Sequence, residues 1–203
     1  MKQNRENPFF ETYRTPFGTP PFDQIETEQY EPAFDEGIRQ LDEEVRAIAD
    51  NTELPTFENT IIALERSGKL LDKVISAFFN VLNAEADDEM MDISQRVSPN
   101  LSESSNNIYL NEQLFARVKS VYDRKDELHL PMEDARLLEK TFEAFCARGA
   151  ALGPEEKEKY RKLSSELSLL SLTFDQNALK DKNRYELLLT KEDELEGLPE
   201  SIR

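Results

Sequence analysis

The sequence predicts an all-α fold, and three observations carry that expectation. Apolar residues recur at steps of three and four over most of the chain, the period of a helix with one buried face. Glycine is scarce, 6 of 203 residues, so interior breaks are few. Six of the ten prolines lie in residues 1–55, and proline fixes φ and removes a donor, which sets that region apart from the helical remainder. The expected architecture is a domain of about six helices. An extended arm rich in aromatics and proline precedes it and a short C-terminal β-strand follows. The chain divides into an arm at 1–22, a helical domain at 23–184, and a stretch at 185–203 holding a strand, a loop and the truncated start of another helix.

The arm places Phe9, Phe10, Tyr13, Phe17 and Phe22 among Pro8, Pro16, Pro20 and Pro21. So many aromatics are expected to pack against a larger body, and the arm's own domain is the nearest one. The alternative is an arm that binds a partner. From Thr27, Tyr30, Phe34, Ile38, Leu41, Val45 and Ile48 mark one face of a helix. Its other face is acidic, with 11 acids and 2 bases between Asp23 and Glu53. Pro55 ends it. The next helix is expected from Thr56 or Asn59 through Leu82, with Gly68 standing where an apolar residue would fall and admitting a neighbouring backbone. A third runs from Asp87 until Pro99 kinks or breaks it. Asn111 is an N-cap for a fourth, through Tyr122. Pro131 opens a fifth, ending near Gly149, and Gly153-Pro154 opens a long sixth with Tyr160, Leu163, Leu167, Leu170, Phe174 and Ala178 on its apolar face. Tyr185 to Thr190 reads as a strand, and Pro199 to Arg203 as a first helical turn cut short.

Charge and composition remove several functions. The formal charge is −17. Both halves are acidic, with 9 bases against 21 acids over residues 1–100 and 16 against 21 over 101–203. Nucleic-acid binding needs a basic face, and an acidic lipid surface repels such a chain. The longest uncharged stretch, Val74 to Ala84, is 11 residues, against the ~20 apolar residues of a membrane span. No apolar segment follows Met1 as in a signal peptide. With one cysteine, Cys146, no internal disulfide forms. A cytoplasmic location is expected, or a periplasmic one if a signal peptide has been removed.

Residues that could do chemistry are few. His129 is the one histidine, so neither a His-Glu-x-x-His zinc helix nor a di-iron bundle can be assembled. Asp126, Glu127 and His129 are expected to form a solvated helix end rather than a metal site. Cys146 lies at helical spacing beside Phe142 and Phe145 and reads as a small buried apolar residue. Asp87-Asp88-Glu89 is an acidic first turn, and the calcium-loop pattern with its central glycine is absent. Gly68-Lys69 lacks the rest of a phosphate loop. The expectation is of no catalytic and no metal-binding residue in this chain. Its residues alone describe an acidic helical domain without catalytic apparatus of its own.

Several segments carry a resemblance. Phe22-Asp23-Gln24-Ile25 with Tyr30-Glu31-Pro32-Ala33-Phe34-Asp35-Glu36-Gly37 is similar to the N-terminal region of the thimet oligopeptidase family of zinc metallopeptidases, in its bacterial peptidyl-dipeptidase branch. So are Asn59-Thr60-Ile61-Ile62-Ala63-Leu64-Glu65-Arg66-Ser67-Gly68, Asn107-Ile108-Tyr109-Leu110-Asn111 with Leu114-Phe115-Ala116-Arg117-Val118, and Glu194-Leu195-Glu196-Gly197-Leu198-Pro199. The resemblance implies a helical clam-shell enzyme enclosing a deep channel. One zinc ion would sit on a His-Glu-x-x-His helix nearer the C-terminus, and dipeptides would be released from the C-terminal end of short peptides. Nothing here matches that zinc motif, so no catalytic, metal or substrate-binding residue is carried over. The implied partners are the C-terminal catalytic portion of the same polypeptide and, for the whole enzyme, short peptides. The competing reading is a stand-alone acidic helical interaction module that binds a partner through its aromatic arm.

Overall fold

The computed structural model describes residues 7–85, 87–189 and 195–199. Among them are six helices of eleven residues or more and one short helix: α1 (Tyr30–Ala49), α2 (Phe57–Ile62 in a π-helical turn, then Ala63–Glu65), α3 (Lys69–Glu85), α4 (Asp88–Tyr109), α5 (Glu112–Tyr122), α6 (Met132–Ala147) and α7 (Pro154–Arg184). The domain is all-α. The strand expected over Tyr185 to Thr190 is not formed: residues 185–189 have no regular structure and run exposed, and Thr190 lies outside the described residues. A strand needs a partner for its backbone groups, and no strand is found among the described residues. Residues 200–203 of the expected cut-off helix also lie outside the described residues.

Local chemistry sets the helix starts. The Thr56 hydroxyl accepts from the Asn59 N–H at 3.1 Å while Asn59 Oδ1 accepts from the Thr56 N–H at 2.8 Å, a reciprocal cap for α2. Asp87 caps α4 by accepting from Met90 N–H at 2.7 Å, and Asn111 caps α5 by accepting from Leu114 N–H at 2.9 Å. Pro154 is the first residue of α7, directly after Gly153.

α1 is the central element and serves two cores. Its first half supplies Tyr30, Ala33 and Phe34 to a cluster with Phe9 of the arm, Leu71, Val74, Ala77 and Phe78 of α3, and Met90, Ile93 and Val97 of α4. Phe78 meets Phe34 edge-on at 5.3 Å and Tyr30 at 5.0 Å, arrangements that aromatic quadrupoles favour. Its second half supplies Val45, Ile48 and Ala49 to a cluster with Ile61, Leu114, Val118, Val121, Leu138 and Phe145. Leu41 packs against both.

Three expectations are corrected here. The helix foreseen through Gly68 is broken there, because Gly68 turns the chain with φ +74 and its N–H donates to Glu44 Oε2 at 2.7 Å. The close approach of two backbones occurs instead at Gly37, where an added Cβ would stand 3.0 Å from Leu71 Cα. Of the two outcomes expected at Pro99, a kink or a break, the break is not found: α4 runs on to Tyr109. α1 and α7 pack against this helix, and the Ser94 and Ser98 hydroxyls donate to the carbonyls of Met91 and Ser94, a bonding pattern that lets a helix bend. Cys146 is exposed, not buried: the inward positions of α6 are taken by Leu138 and Phe145.

Candidate functional site

Each residue with reactive potential falls on a surface. His129 lies exposed in the turn between α5 and α6 with φ +46, and Asp126 and Glu127 beside it are exposed. Among the described residues no three His, Cys, Asp or Glu side chains are grouped so as to hold a metal ion. The donors that a zinc ion would need are not offered by these residues. What the described residues present are two surfaces, one on the arm and one on α7.

The arm docks on its own domain. Phe9 is 1% exposed and sits 5.3 Å from the Tyr30 ring. Lys73 of α3 reaches over it: its ammonium donates to the carbonyls of Phe9 at 2.8 Å and Glu11 at 2.6 Å and stands 3.7 Å from the Tyr13 ring centroid. Burial pulls the Lys73 pKa down, with the Glu11 carboxylate opposing. Burial, aided by Tyr30, pushes Tyr13 up to about 12, and its hydroxyl has no hydrogen-bond partner among the described residues. Phe10, Phe17 and Phe22 point to solvent, Phe17 completely. The arm is therefore clipped at Phe9 and Tyr13 and free at its three other aromatics.

Beneath the arm, the outer face of α1 is acidic as expected. Arg39 pairs with Glu36 and Glu43 at 2.6 Å each, and hydrogen bonds from Arg39 and Gln40 hold the Glu36 carboxyl down at about 2. A second buried cation was not foreseen. Arg117, 6% exposed, donates to the carbonyls of Asn51 and Glu53, to Asn59 Oδ1 and to Thr60 Oγ1 at 2.6–3.3 Å. It ties the loop before α2 to α5. A single arginine among Leu114, Val118 and Val121 was the available sequence signal.

α7 is turned inside out. Its side towards α4 and the start of α5 is mostly polar, although Tyr160 and Leu172 also line it. Lys157 pairs with Glu112 at 3.0 Å, and Arg161 reaches Glu103 at 2.9 Å and Asn107 at 3.0 Å. The Asn106 amide donates to Ser164 Oγ at 2.9 Å, and the Gln95 amide donates to Gln176 Oε1 at 2.9 Å. A cleft of about 460 Å³ opens between the two helices, with Ser98, Ser102, Ser105, Ser164 and Ser168 among its lining. Of the apolar stripe read as this helix's buried face, Tyr160 lines that cleft and the rest points outward: Leu163 is 65% exposed, Leu167 64%, Leu170 59% and Phe174 72%. Tyr185, Leu187 and Leu188 after the helix are exposed too. Periodicity located the stripe correctly but assigned it to the wrong side. The corrective signal was Leu167 to Phe174, eight residues without a charge in a chain that is 33% charged.

Among the described residues the structure presents helical surfaces and no grouped metal donors. The comparisons with known proteins give the class of protein that this chain resembles. No family model matches the chain. The chain is similar to the N-terminal part of a group of peptidases. The particular likeness is to the dipeptidyl carboxypeptidase of Escherichia coli strain K12, 40% identical over 194 residues that make up 96% of this chain and 28% of that relative. The oligopeptidase A of the same organism is 25% identical over 92% of the chain, and an organellar oligopeptidase A of Arabidopsis thaliana 27% over 91%. The chain spans about a quarter of the length of these relatives.

Proposed function

We propose that this chain is the N-terminal helical portion of a zinc-dependent peptidyl-dipeptidase, an enzyme that removes dipeptides from the C-terminal end of short peptides. The observation that carries the reading is the 40% identity to a dipeptidyl carboxypeptidase across 96% of the chain. In this reading the helices form one wall of the substrate channel, and the zinc ion is held by residues outside these 203. The parent is cytoplasmic, which the single cysteine supports. The described residues contain no grouped metal donors, so the contribution of this chain is to bind and shape rather than to hold zinc or a nucleophile. The docked arm favours this reading over that of an arm reserved for a partner, because its two anchoring aromatics are spent on the chain's own core.

The test takes the longer polypeptide encoded by the source gene and the 203-residue chain side by side, with an N-blocked tripeptide as substrate. The longer polypeptide is expected to release the C-terminal dipeptide and to lose that activity to a zinc chelator, and the 203-residue chain to release none. Chelator-insensitive hydrolysis, or turnover by the 203-residue chain alone, would overturn the reading.

A further inference from the structure

We propose that the outward stripe of α7, Leu163, Leu167, Leu170 and Phe174, is a docking surface for an apolar helix supplied by the remainder of the parent polypeptide. The inference rests on the reading of this chain as part of a longer peptidase. The stripe steps by 4, 3 and 4 residues, the spacing of a seam that receives a second helix. Its four side chains are each more than half exposed, and water solvates such a stripe poorly. The helix cannot bury it by rolling over. Turning the stripe towards α4 would break the exposed pairs of Arg161 and Gln176 and leave the buried Asn106 amide without Ser164, and an unpaired buried polar group is costly. The cover must therefore come to α7 from outside.

The occupant follows from length, area and charge. Almost three quarters of the length of the 40%-identical relative lies outside the matched stretch, so the parent has ample chain to provide a helix. The stripe from Leu163 to Phe174 is ~17 Å long on a helix ~10 Å across, a few hundred Å². That is short of the ~800 Å² per partner of a stable complex between separate molecules. Two copies of a chain of charge −17 also repel each other. A segment of the same polypeptide is at high effective concentration and needs no such area.

The experiment measures thiol labelling of Leu170→Cys in a Cys146→Ser background, in the 203-residue chain and in the longer polypeptide, each normalised to its rate in denaturant. Hydrogen exchange of the α7 amides in the unsubstituted proteins repeats the test without a variant. Labelling is expected to be fast in the 203-residue chain and slower by about tenfold or more in the longer polypeptide, with α7 exchange slowed in parallel. Equal labelling in both would overturn the proposal. So would labelling of the 203-residue chain that slows as its concentration rises, which would make a second copy the occupant. Dipeptide release by a longer polypeptide whose introduced thiol stays reactive would remove the docking surface and leave the enzyme reading. A protected thiol without dipeptide release would do the reverse.

Discussion

α1 and α7 carry the same kind of pattern and use it in opposite ways. Both space their apolar residues at three and four. α1 turns Tyr30, Phe34, Val45 and Ile48 inward and its carboxylates outward. α7 turns Ser164, Gln176 and Arg161 towards α4 and Leu163, Leu167, Leu170 and Phe174 outward. Periodicity reports which residues share a face. It does not report which face a neighbour covers, because that depends on elements elsewhere in the fold. α1 buries its apolar face within these 203 residues, and α7 leaves its own exposed.

The largest expected effects lie in the α1 core. Phe78 is fully buried against Phe34 and Tyr30, so Phe78→Ala is expected to cost ~3–5 kcal/mol in urea unfolding. A cost below ~1 kcal/mol would show that this cluster is loosely packed and would erase the contrast with α7.

Arg117→Met comes next. It leaves the carbonyls of Asn51 and Glu53 without the Arg117 donor and removes one of the bonds to Asn59 Oδ1, at a cost of ~2–3 kcal/mol. Hydrogen exchange is expected to quicken over residues 51–60 first. Uniform acceleration across the domain would mean that the loop and the core open as one unit.

Gly37→Ala sharpens the comparison at the α1–α3 contact. The new methyl would meet the Leu71 backbone at 3.0–3.1 Å, and backbone cannot step aside as a side-chain end can. A loss of ~1–3 kcal/mol is expected, and an unchanged unfolding midpoint would mean that the two helices separate easily.

The arm gives a smaller, pH-dependent effect. Tyr13 is raised to about 12 in the folded protein against an ordinary value of 10.0. The folded state therefore holds the phenol proton more tightly than the unfolded state does. That stabilisation is complete below pH 10 and is lost as pH rises through about 12. Absorbance of tyrosinate should show a late-titrating tyrosine, absent in Tyr13→Phe, and the arm should become sensitive to protease in the same window. Release of the arm well below pH 10 would show that Lys73, rather than Tyr13, governs it.

How much was legible follows the same division. The caps at Asp87 and Asn111, the opening of α7 at Pro154 and the apolar side of α1 were readable because each depends on neighbours in sequence. The turn at Gly68, the passage of α4 through Pro99 and the exposure of Cys146 were not, because Glu44, the flanking helices and the inward residues of α6 decide them from a distance. The strand at 185–190 failed for the same reason: an apolar run is a strand only when another strand stands beside it. The exposure of the α7 stripe needed the structure, because its sequence looked like one more buried helix.

The central claim is that α7 contributes little to the stability of this chain through its apolar face. The most direct measurement is urea unfolding of the 203-residue chain carrying Leu163→Gln, Leu167→Gln and Leu170→Gln together, changes between residues of similar helix propensity. The account predicts stability within about 1 kcal/mol of the unsubstituted chain, since the three positions are solvated already. A loss of ~5 kcal/mol or more, the scale of emptying a packed core, would contradict it and place that face inside the fold.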